Sequence, residues 1–244
     1  MEVHHHPELP HGEKKHFKEY ILEFLMIFLA VTMGFIAENI REHLSDSSKE
    51  NEYITGLIKD LKVDTASLNF IISKGHEQLK GIDTLRHIPK ERLSEIKVQD
   101  SLYFYTTKYL FALNPFKSDD ITMIQLRNAG GYRLIRKEGA VDSIALYESR
   151  INVIEIQQSF LSTGVTRALD AANLVFDFNA FDKFKSKQSS TPILITYDKE
   201  KINGFYNQGW MMSIILKNYN NMLESHLKYC TRLIAYLKKT YKID

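Results

Sequence analysis

An all-α fold is predicted by three features of this 244-residue sequence. Glycine and proline are scarce, at 11 and 5 residues, which favours long helices over the many turns of a β fold. Apolar residues recur at alternating steps of three and four through much of the chain. One stretch, Tyr20 to Ala37, is almost wholly apolar over 18 residues, with Glu23 inside it. The expected architecture is an N-terminal transmembrane helix followed by an antiparallel helical bundle with long helices. Its parts are a flexible His-rich cytosolic tail at 1–16, the transmembrane helix at 17–43 and an extracytoplasmic bundle domain at 44–244.

The tail, "MEVHHHPELPHGEKKH", holds His4, His5, His6 and His11. Histidine-rich tracts bind metal weakly and unselectively when no fold orients them. The plainer reading is a solvated segment beside the membrane. The apolar run comes next. Eighteen helical residues reach about 27 Å, close to the roughly 30 Å of a hydrocarbon core. Bulky Phe35 lies where a cleaved leader would carry a small residue, so the run reads as an uncleaved signal anchor. A buried helix of a soluble domain is the competing reading. Lys14, Lys15 and Lys18 precede the span, and Arg41 and Lys49 follow it. That asymmetry favours a cytoplasmic N-terminus.

Glu23 shares one helical face with Ile27, Ala30, Gly34 and Ala37. Small residues in a stripe let membrane helices approach closely, and an intramembrane carboxylate usually faces protein or water. The expectation is a packing seam against a second copy or another membrane subunit. Glu23 could instead bend back to the headgroups. An ion-driven motor subunit has the same layout of short tail, acid-bearing span and outer domain, which is analogy alone.

Beyond the span, Ile54, Leu57, Leu61, Leu68, Ile72, Leu79 and Ile82 keep a helical period, so the membrane helix runs on or bends near Ser45 to Ser48. "RHIPKERLSE" marks a turn. "DSLYFYTTKYLFAL" predicts a short helix carrying Tyr103, Tyr105 and Tyr109, which either line a ligand pocket or fill a bundle end. "SDDITMIQLRNAGG" predicts a helix with Ser118 or Asp119 as N-cap and Gly130-Gly131 as C-cap. A long helix is expected from about Lys137 to Phe178, with Gln158 the polar intruder. "PILITY" is a short strand or an extended connector. The last helix, from about Lys199 to Tyr241, places Ile202, Phe205, Gly209, Met212, Leu216, Tyr219, Leu223, His226, Cys230, Leu233 and Leu237 on one stripe.

The chemistry-bearing groups are few. The formal net charge is +2, with no basic face of the kind nucleic-acid binders show. One cysteine excludes an internal disulfide. His226 and Cys230 are four apart, but two ligands do not make a metal site; a packed histidine and an inert thiol fit better. Met211, Met212 and Met222 read as core. No phosphate-cradling loop or nucleophile elbow occurs, and no cofactor is implied. The chain reads as a structural or accessory subunit rather than an enzyme. An extracytoplasmic ligand-sensing bundle is the alternative. The expected surroundings are the lipid bilayer and copies of itself or other membrane subunits.

"LEFLMIFLAVTMGFIAENIRE", "EYITGLIKDLKVDTASL" and "LRNAGGYRLIRKEGAVDSIALYESRI" together resemble a group of uncharacterised bacterial single-span membrane proteins. Glu23 matches the early acid of that group's span. Tyr53, Leu57, Asp60, Leu61 and Asp64 match its following helix, and Gly130, Leu134 and Tyr147 its turn and next helix. The resemblance covers roughly residues 17–155. It implies a membrane-anchored helical protein and supplies no reaction or ligand.

Overall fold

The computed structural model describes residues 17–128, 130–185 and 193–243. They form six α-helices: α1 (Phe17–Arg86), α2 (Ile96–Tyr105), α3 (Ile121–Asn128), α4 (Ala140–Asn173), α5 (Phe178–Lys185) and α6 (Lys199–Tyr241). No strand occurs among the described residues, and the fold is all-α. Two compact units divide it, Met1–Glu50 and Asn51–Asp244. The histidines His4, His5, His6 and His11 lie outside the described residues.

In the first unit, α1 is helical without a break from Phe17, and Ser45 to Ser48 do not interrupt it. Its apolar window has a mean hydropathy of 2.2, and none of it is buried within the chain. By length and composition it is one candidate membrane span. Leu22, Phe24, Ile27 and Phe35 are all more than half exposed.

The second unit is built on three long helices: α1 from Asn51 onward, α4 and α6. Their pairings give their directions. Tyr236 and Tyr229 of α6 donate to the carbonyls of Glu138 and Ser143 near the start of α4, and further along Gly164 of α4 lies against Met212 of α6. Residue numbers rise on one helix as they fall on the other, so α4 and α6 are antiparallel. His76 of α1 meets Glu224 of α6 at 3.0 Å, and the Tyr206 hydroxyl reaches the Ile88 carbonyl at 3.1 Å, so α6 runs antiparallel to α1 as well.

Every residue of the apolar stripe expected on α6, from Ile202 to Leu237, is buried. On α4, Ile144, Tyr147, Ile154, Leu161, Val165, Ala168 and Ala172 are buried and Ile151 is half-buried. Of the three methionines read as core, Met212 is buried, Met222 is half-buried and Met211 is 41% exposed. Met211 lies about 100° around the helix from Met212, on a more exposed side of α6.

Three boundaries differ from expectation. α4 ends at Asn173 rather than near Phe178, because the chain turns there to form one bridge, Phe176 to Leu194. Residues 193–197 of "PILITY" therefore form an extended connector, held also by Gln99, whose Oε1 accepts from Ile193 N at 2.8 Å. α2 begins at Ile96 and passes into a π-turn, Thr106–Leu110. At the start of α4, Gly139 adopts φ 73°, a left-handed conformation that glycine enters without steric cost.

Candidate functional site

The apolar part of α1, the candidate span, forms one candidate site. Ala30, Gly34 and Ala37 are exposed, and Glu23 on the same face is half-buried. A Cβ added at Gly34 would meet nothing within 4 Å. Thr32 Oγ1 donates to the Phe28 carbonyl at 2.7 Å, returning its hydroxyl to the helix. Arg41 is paired one turn away with Glu38, Nε to Oε2 at 2.8 Å.

The aromatic group at Tyr103, Tyr105 and Tyr109 faces two ways, with a π-turn between Tyr105 and Phe111. Phe111 N bonds five residues back to the Thr106 carbonyl, and the extra residue rephases the helix face. Tyr103 meets the edge of Phe181 on α5 at 4.7 Å, whereas Tyr105 stacks on Tyr109 at 5.8 Å. Tyr109 occupies the space a side chain at Gly81 would need; a Cβ there would lie 2.2 Å from its ring. Lys108 Nζ sits 4.8 Å from the Tyr109 ring centre. Gln78, fully buried, donates to the carbonyls of Tyr109 and Ala112 at 2.9 and 2.8 Å. It closes backbone acceptors that the π-turn leaves open.

The most polar part of the core lies where α1, α3, α4 and α6 meet. Asp60 and Asp64 are four residues apart on α1 and face α3. Asp60 Oδ2 accepts from Thr122 N at 2.9 Å, and Asp64 Oδ1 accepts from Asp119 N at 2.7 Å. The start of α3 is thus capped by carboxylates of another helix, not by Ser118 or Asp119 as the local sequence suggests. An acid at a helix N-terminus also opposes the positive end of its dipole. Asp64 Oδ2 accepts from the hydroxyl of Tyr147 on α4. Asp60 and Asp64, from one quoted motif, and Tyr147, from another 83 positions beyond Asp64, come together here.

Burial sets the proton affinities of this cluster. It raises Asp64 from 3.8 to about 6, against the lowering effect of the hydrogen bonds from Tyr147 and Asp119. It also drives the Tyr147 hydroxyl well above the usual phenol range. His226 is fully buried, stacked on Tyr147 at 5.3 Å and set edgewise to Phe116 at 5.9 Å. Neither of its ring nitrogens has a hydrogen-bond partner. Burial, helped by the charge of Arg150, lowers it from 6.5 to about 4, so its ring is neutral at pH 7. Cys230, one turn further on, is fully buried, and burial pushes its thiol up to about 12. A nucleophilic cysteine needs the opposite shift. Among the described residues, no group of three or more His, Cys, Asp or Glu could hold a metal ion.

On the outer side of His226, α4 and α6 part to form a cleft of about 280 Å³. Arg150, Ser149, Ser225 and Met222 line it with His226. Arg150 Nη1 lies 3.3 Å from Ser225 Oγ, and its guanidinium covers the Tyr229 ring at 4.8 Å. Arg150 carried no signal in the sequence, since a single arginine on a long helix usually faces solvent. Compared with family models, curated proteins and solved structures, the chain matches none.

Proposed function

We propose that this protein is a membrane-anchored structural or accessory subunit. Tyr20 to Ala37 tethers it to a bacterial inner membrane, with the tail cytoplasmic and the bundle periplasmic. It assembles with copies of itself or with other membrane proteins and carries out no reaction of its own. The observation that carries this reading is an apolar helix with none of its 18-residue window covered by the chain. Its ten Leu, Ile, Phe and Val residues favour hydrocarbon by about 3 to 6 kcal/mol in sum. Glu23 lies near one end of the run, where its carboxylate costs less than at the bilayer centre. Lys14, Lys15 and Lys18 ahead of the span support the orientation. Asp60 and Asp64 are spent on capping α3 and the Cys230 thiol is held protonated by burial, which favours a structural role.

Assembly is tested at Gly34. A Cβ there meets nothing within 4 Å, so a leucine projects outward, where a partner helix would meet it. Cross-linking in native membranes should trap a complex with the wild-type protein, and Gly34→Leu should reduce it several-fold while membrane extraction is unchanged. A chain that remains monomeric in native membranes, with no partner captured, refutes the reading. Recovery of the intact polypeptide in the aqueous fraction without detergent refutes the anchor.

A further inference from the structure

The cleft between α4 and α6 has the features of a small ligand site. Its volume, about 280 Å³, is at the small end of ligand pockets, which start near 300 Å³. One wall is apolar, with Val153, Ile154 and Met222; the other carries Arg150 and Ser225. No carboxylate lines it, and no carboxylate pairs with Arg150 among the described residues. Arg150 Nε is buried without a hydrogen-bond partner, and so are both nitrogens of fully buried His226 beside it. A buried polar group left without a partner costs about 1–3 kcal/mol. Three such nitrogens lie in or directly behind this one cleft.

A larger cleft of about 590 Å³, beside Lys90 and Lys199, offers less. Glu91 is among its lining residues, and the Lys90 ammonium already meets Asn203 at 2.7 Å and the Tyr206 ring at 4.8 Å.

We infer that the α4/α6 cleft binds a small carboxylate with a short apolar stem. The carboxylate meets the guanidinium of Arg150 and the hydroxyl of Ser225, in the forked geometry that arginine offers planar anions. The stem lies on Val153, Ile154 and Met222. His226, uncharged and fully buried, backs the cleft without adding a second positive charge. The site does not depend on assembly through the span, so a monomeric chain would bind as well as an assembled one.

The test uses the full-length protein in non-ionic detergent, with butyrate as probe and 1-butanol and butylammonium as neutral and cationic matches. The readout is the His226 ring signal in NMR, assigned by its loss in His226→Gln. Butyrate should shift that signal saturably with a millimolar Kd, and the two matched probes should not. Arg150→Gln should weaken butyrate at least about tenfold, the loss of a charge-assisted pair. Should that variant unfold, Asn221→Trp at the exposed rim keeps the question answerable: it should block butyrate while leaving the melting temperature of the unliganded protein in place. No saturable shift by about 50 mM butyrate, an equal response to butylammonium, or undiminished binding in both variants would overturn the proposal.

Discussion

Asp64→Asn should convert a core that is nearly indifferent to acid into one that acid destabilises. Two fully buried groups titrate there with opposite consequences. Burial raises Asp64 from 3.8 to about 6, so as the pH falls the folded chain takes up this proton before the unfolded chain does. Acidification from pH 6 to 4 then favours the fold, by about 3 kcal/mol at 1.36 kcal/mol per pH unit. That contribution is complete below the unfolded value and lost as the pH rises through 6. Burial lowers His226 from 6.5 to about 4. Between those values the unfolded chain binds the proton and the folded chain does not, so acidification works against the fold, also by about 3 kcal/mol. The two slopes cover nearly the same window and offset each other. Asparagine at 64 keeps one oxygen to accept from Asp119 N and turns its NH2 to the Tyr147 hydroxyl, which can accept from it; it removes the titration and leaves the His226 slope unopposed. The assay is equilibrium unfolding of the full chain in detergent, followed by circular dichroism at pH 7, 6, 5 and 4. Relative to wild type, Asp64→Asn should lose about 3 kcal/mol across that range, and His226→Phe should gain a similar amount. Surface titrations are common to all three proteins and cancel in the comparison. Parallel stability curves for the three would refute the reasoning.

Other perturbations test the packing. Asp60→Ala removes the acceptor for Thr122 N and should cost about 1–2 kcal/mol, seen as a lower melting temperature and faster amide exchange at the start of α3. Gly81→Ala should destabilise although alanine suits a helix better by about 1 kcal/mol, because forcing Tyr109 aside costs about 1–3 kcal/mol; a higher melting temperature would show that the ring leaves freely. Asn220 is buried with neither side-chain polar atom partnered, so Asn220→Leu should stabilise by about 1–3 kcal/mol in chemical unfolding. That gain requires the new side chain to fit beside Gly75, whose missing Cβ now leaves room for the amide.

Much of this molecule is local in origin. The span, the stripe on α6 and the left-handed Gly130 after α3 follow from short-range rules: apolar length, a period near 3.6, and glycine's tolerance of φ 63°. Such rules act over a few residues and leave a pattern in the sequence. The polar core leaves none. Asp64 meets Asp119 across 55 positions and Tyr147 across 83, and Gln158 meets the Phe116 carbonyl across 42. Sequence alone presents Asp60 and Asp64 as two more acids on a solvated helix and Arg150 as one more surface charge. Only the approach of α3 and α4 turns those acids into caps, and only the parting of α4 from α6 gives His226 and Arg150 a shared cleft. A side chain's chemistry is written in its own position, but its partner is set by where other helices pack, and packing is the sum of many weak apolar contacts that no single residue announces.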